Sequence, residues 1–112
     1  MQKSNASETA KEVINSLIAS FGDAVSAISL NDVTDTPSKS FYIEYVLYNY
    51  YCMRFNYDRG HFGTCIAYWE KAISIKTKLE WDDNCDYREY WKEVMEEVRL
   101  RIPDKYLEKY GF

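Results

Sequence analysis

Residues 41–58, FYIEYVLYNYYCMRFNYD, constrain this chain more than any other stretch. Phe41, Ile43, Tyr45, Leu47, Tyr51, Met53, Phe55 and Tyr57 occupy every odd position except one, and only Asn49 interrupts them. Successive side chains of a strand point to opposite faces, so a period of two predicts β structure with one buried face. On a helical wheel, Glu44, Arg54, Asn56 and Asp58 scatter round the circumference, and a helix would have to be buried on all sides. Eighteen residues exceed the usual strand length. A kink or bulge near Asn49, or a hairpin turning within Leu47–Tyr50, is therefore expected. The following DRGHFG (58–63) supplies two glycines for another turn.

Helices are expected on either side. Ala10, Val13, Ile14, Leu17, Ile18 and Phe21 recur at the spacing of one helix face, with Ser7 as the expected N-cap and Gly22 beyond the end. Asp23 is placed to cap a second, short helix through Ala24, Val25, Ala27, Ile28 and Leu30, and NDVTDTPSKS (31–40) reads as a surface loop. Periodicity leaves Gly63–Trp69 unassigned. Ile73, Ile75, Thr77, Leu79 and Trp81 alternate with polar residues and predict a half-buried strand. Asp86, with Glu89 three residues on, has the capping-box arrangement. It opens a helix whose apolar face is Tyr87, Tyr90, Trp91, Val94, Met95 and Val98, broken at Pro103 before a last helical turn. The expected fold is α+β, a small antiparallel sheet flanked by N- and C-terminal helices, with an all-α bundle as the alternative.

At 112 residues the chain suits one domain (1–112), with residues 1–6 expected to be flexible. Apolar residues make up 46% and charged residues 29%, outside the range of disordered chains, and the 17% aromatic content suits both a core and a binding patch. A net charge of −4 argues against direct nucleic-acid binding and favours a basic protein partner. Nothing resembles a signal peptide or a membrane span, so a cytoplasmic location and no membrane partner are expected. Cys52, Cys65 and Cys85 fit neither a zinc pair nor a disulfide framework and read as reduced thiols.

His61 near Asp58 invites a general-base reading. It lacks the company of any catalytic motif, and no catalytic residue is assigned. Cys52, His61, Cys65 and Cys85 match no zinc spacing, so neither a metal nor a cofactor is expected. Arg54, Asp58 and Arg59 among aromatics could stack on a base. The plainer expectation is that Arg54 and Asp58 pair with each other at the sheet. Residues 80–97 hold eight acids, Glu80, Asp82, Asp83, Asp86, Glu89, Glu93, Glu96 and Glu97, against Arg88 and Lys92. Such a run is either a solvated helix face or a surface that steers a basic partner.

FYIEYVLYNYYCMRFNYDRGHFG (41–63) and RLRIPDKYLEKYG (99–111) resemble a family of small bacterial immunity proteins encoded beside polymorphic toxins of the contact-dependent growth inhibition kind. Arg54–Gly60 is the most specific part, and residues 64–90 depart from the pattern. The resemblance implies a non-enzymatic inhibitor that binds the C-terminal toxic domain of its cognate effector, expected to be a basic nuclease, and occludes its active site. The candidate contacts are Glu80, Asp82, Asp83, Asp86, Tyr87, Glu89 and Glu93, with Arg54, Asp58 and His61. Two other classes remain open: a small nucleotide-binding or enzymatic domain centred on Arg54, Asp58 and His61, and a generic protein-binding adaptor.

Overall fold

A computed structural model of the chain describes residues 5–68, 71–77, 81–82 and 86–112. The first helix, α1, spans Ala6–Phe21. Its cap is Asn5, not Ser7: the Asn5 side chain accepts from the Glu8 N–H at 2.8 Å, so the helix begins earlier than expected and Ser7 lies inside it. The Ala6 N–H donates to Asp35 Oδ1 at 2.8 Å, placing a carboxylate at the positive end of the helix. Ala6, Thr9, Ala10, Val13, Leu17 and Phe21 form its buried face. Gly22, at φ 53°, ends the helix, and its N–H bonds to the Ile18 carbonyl.

The expected second helix after Asp23 is a strand. A short 3-10 turn at Gly22–Ala24 leads into β1, Val25–Thr34, which pairs antiparallel with β2, Ser40–Leu47. The β1–β2 register shifts between Ser26 and Ser29 and again between Asn31 and Thr34, with Ala27 (φ 52°) and Asp32 (φ 51°) in the left-handed region. These two bulges turn a period of two into a period of three: Val25, Ile28, Asn31 and Thr34 are half-buried and the residues between them exposed. That spacing imitates a helix face, and for this reason periodicity misassigned the segment. Only residues 35–39 of the expected loop remain outside the strands.

The alternating run folds as a hairpin of β2 and β3, Tyr51–Asp58, in register from Ser40↔Asp58 to Leu47↔Tyr51. Phe41, Ile43, Tyr45, Leu47, Met53, Phe55 and Tyr57 all point inward and are buried. Asn49, the one interruption, is in the turn. Tyr48 (φ 58°) and Asn49 (φ 50°) both adopt positive φ, and the Tyr50 N–H donates to the Leu47 carbonyl at 2.9 Å, closing a tight three-residue loop. Arg59 (φ 54°) and Gly60 (φ 85°), again both at positive φ, make a two-residue turn into β4, His61–Tyr68.

The second alternating segment behaves differently from expectation. Lys71–Ser74 forms β5 along β4, with all four residues exposed and Ile73 at 49%. The chain then leaves that ladder so that Ile75 can be buried, its N–H donating to the Thr64 carbonyl at 2.9 Å. Leu79 lies outside the described residues. Trp81–Asp82 returns as β6 and pairs with Phe62 and His61 of β4. The sheet order is β1-β2-β3-β4-β5, with β6 also beside β4.

Helix α2, Tyr87–Arg99, starts at the expected cap, Asp86, whose carboxylate accepts from the Arg88 N–H at 2.9 Å. Tyr87, Tyr90, Trp91, Val94 and Val98 are buried. Trp91 is the keystone of the core. Its ring lies 6.0 Å from Phe21, 6.1 Å from Tyr45 and 5.6 Å from Phe55, and its indole N–H donates to Ser16 Oγ at 2.8 Å. Both long helices thus bury their apolar faces against the inward side of the sheet, which makes the fold α+β and excludes the all-α bundle. After Pro103, α3 (Asp104–Lys109) closes over the β2–β3 turn. Tyr106 packs 4.9 Å from Tyr50, Phe112 lies 5.2 Å from Tyr48, and the Tyr51 hydroxyl donates to the Arg101 carbonyl at 3.2 Å. Among the described residues, no helix is long and apolar enough to cross a membrane.

Candidate functional site

Because the odd positions of β2 and β3 face the helices, the even positions face the other way, and no described helix packs over them. Strand register arranges this open face in rows. One row runs Ser29, Glu44, Arg54, Cys65, Ser74; the next Asn31, Tyr42, Asn56, Gly63; the third Thr34, Ser40, Asp58, His61, Asp82.

The first row centres on Arg54. Its guanidinium sits 4.6 Å from the centre of the Tyr42 ring and 3.6 Å from Glu44 Oε1. The ion pair is about 40% exposed on each side, so its worth is at most ~1 kcal/mol. Its effect is to fix where a cation, a carboxylate and a ring stand on the surface. Arg54 Nε is buried and without a hydrogen-bond partner. Beneath it, burial pushes the Cys65 thiol up from its ordinary pKa, while Arg54 and a hydrogen bond with Asn56 pull it back.

The expected Arg54–Asp58 pair does not form. The two lie on one face of β3, four residues and roughly 13 Å apart at strand spacing, and each has a nearer partner. Glu44 stands directly across the ladder from Arg54, whereas Asp58 Oδ1 meets Arg59 Nε at 3.8 Å and Ser38 Oγ at 3.4 Å. Arg54, Asp58 and His61 therefore share a face without converging on one point. The exposed His61 stands beside Asp58, at the rim of an open hollow of about 470 Å³ lined also by Asn56, Arg59, Phe62 and Gly63.

Of the acidic stretch, β6 brings Asp82 to the sheet, and α2, packed on the inward side, carries other members. Pairing of β6 with β4 sets the Asp82 backbone next to His61. Asp86 and Glu89 are exposed at the start of α2, and Glu93 is half-buried one turn on. Tyr87 is buried, its ring 5.3 Å from Phe62, so it braces the core beneath β4. Glu80 and Asp83 lie outside the described residues. Tyr42, Glu44, Asn56 and Gly63 were not singled out from the sequence. The signal for them was present: they alternate with the inward residues, and once the odd positions are committed to the core the even ones must form the surface.

The arrangement offers carboxylates, an amide, two guanidinium groups and a fixed ring on a broad, flat face, groups that hold another macromolecule by ion pairs and hydrogen bonds. Among the described residues, no three His, Cys, Asp or Glu side chains gather as metal ligands, and Cys85 lies outside them. No family model, curated protein or solved structure matches this chain.

Proposed function

We propose that this chain is an immunity protein: it acts in the cytoplasm, binds the C-terminal toxic domain of a contact-dependent growth inhibition effector, and covers that domain's active site. The observation that carries this is the third row of the open face, Asp58–His61–Asp82. Through it Asp82, a member of the acidic stretch, is paired into the sheet at the margin of the open face. The resemblance of residues 41–63 and 99–111 to immunity proteins supplies the biological setting.

A basic nuclease is the partner this surface suits. A groove built to hold phosphates carries clustered Lys and Arg, and carboxylates on a −4 protein raise the rate at which such a groove is met. Lifetime then comes from groups that are already held in place, as Arg54 is by Tyr42 and Glu44.

The test is co-expression with the toxin domain encoded immediately upstream. Growth should be restored and the two chains should co-purify; neither protection nor a complex would overturn the proposal. A chain that binds a protein partner yet gives no protection would be an adaptor instead.

A further inference from the structure

We propose that the hollow over Gly63 receives an arginine side chain of the protein partner. The inference rests on the protein-binding function above and adds the chemistry of the contact.

Gly63 is the starting point. It lies within β4, where glycine costs up to about 1 kcal/mol relative to a residue with a side chain. No conformational need offsets that cost: Gly63 is not among the residues with positive φ, and a Cβ built on it meets nothing within 4 Å. A larger residue would fit both the backbone and the space. What glycine uniquely provides here is the empty space itself. Glycine inside a strand recurs where a ligand or another chain approaches closely.

The walls of that space suit a guanidinium. Asn56 stands across the ladder from Gly63, and Asp58 and His61 form the adjacent row. Asp58 is 65% exposed, and both of its contacts, to Arg59 and Ser38, are long and made through Oδ1. Arg59, 73% exposed and reaching back from a turn, is easily displaced. A partner arginine can take both carboxylate oxygens in a two-pronged contact, lay its plane against the His61 imidazole, and donate a remaining N–H to the Asn56 carbonyl. A lysine could reach the same carboxylate, but a compact ammonium uses neither the fork nor the ring. Arginine is also a side chain on which binding energy concentrates at interfaces.

The direct test needs no toxin. The full chain, labelled with 15N, is titrated with N-acetyl-arginine N-methylamide and, separately, with the lysine analogue. The arginine probe should give saturable shifts at the amides of Asn56, Asp58, His61 and Gly63, and the lysine probe weaker ones. Gly63→Val should abolish them while unfolding at a temperature no lower than wild type, since valine favours strand. Absence of saturable shifts at these amides, or their persistence in Gly63→Val, overturns the pocket. With the upstream toxin domain, Gly63→Val should weaken the complex by about tenfold or more; equal affinity also overturns it. Should the toxin domain fail to bind wild type while the arginine probe binds, the immunity function falls and the pocket stands.

Discussion

The Tyr106 hydroxyl donates to the Tyr48 carbonyl at 2.8 Å, and to the Asn49 carbonyl at 3.2 Å, across 58 residues of chain. Both acceptors belong to residues with positive φ in the β2–β3 turn. A bulky residue is costly in that conformation, by roughly 1–2 kcal/mol. Tyr48 holds it because its ring is buried against Phe21 and Phe112 with the Arg99 guanidinium 5.6 Å above it, while Tyr106 fixes the backbone. Tyr106→Phe removes the donor and keeps the ring. It should lower stability by about 1 kcal/mol, read as a shift of the urea midpoint with an unchanged slope.

Ala27 carries the same backbone strain with no compensating burial, since it is exposed in the first bulge of β1 at φ 52°. Ala27→Gly should stabilise the chain by about 0.5–1 kcal/mol, because glycine enters this region freely and the gain exceeds its entropy cost. Thermal unfolding checks this. A fall in melting temperature would mean that the alanine methyl makes a contact of value.

Tyr45 makes the chain sensitive to alkali. Burial holds its phenol well above the usual range; Tyr90 and Cys65 add to this, and a loose approach to Thr64 opposes it without giving Oη a well-formed hydrogen bond. Above a pH of about 10 the unfolded chain loses this proton and the folded chain keeps it. The contribution is thus complete below that pH and declines as pH rises through the window, by up to ~1.4 kcal/mol per pH unit. Tyr45→Phe should flatten the decline and leave stability at pH 7 equal or slightly raised, as the hydroxyl it removes is unpaired. Stability against pH, from urea melts of both proteins, decides it.

Asp86 has two roles that substitution can separate. It caps α2 and it belongs to the acidic surface. Asp86→Ser keeps a capping oxygen and removes the charge, so folding should be retained while affinity for the proposed toxin partner falls and becomes less dependent on salt. Asp86→Lys should additionally cost about 1 kcal/mol of stability. Reversing Asp82 and Asp83 together should likewise lower affinity for the proposed partner. Unchanged affinity in all of these would move the interface away from the acidic stretch.

How much of this was legible in the residues varies with how local the cause is. The β2–β3 hairpin was readable because every inward position is apolar and the exception, Asn49, sits where the turn needs positive φ. Asp86 was readable because a cap acts on its own helix. β1 was not, since its bulges depend on pairing with β2, and two extra residues moved its periodicity toward that of a helix. The partner of Arg54 was hidden for a similar reason: only register reveals that Glu44 stands opposite and Asp58 does not. Gly63 looked like part of a turn until the Arg59–Gly60 pair completed that turn without it.

The bulges of β1 have one more consequence. An edge strand invites other strands to add to it. A second chain laid along β1 would lose its ladder twice within ten residues, at Ala27 and again at Asp32. The long edge of this sheet is therefore a poor template for polymerisation into fibres.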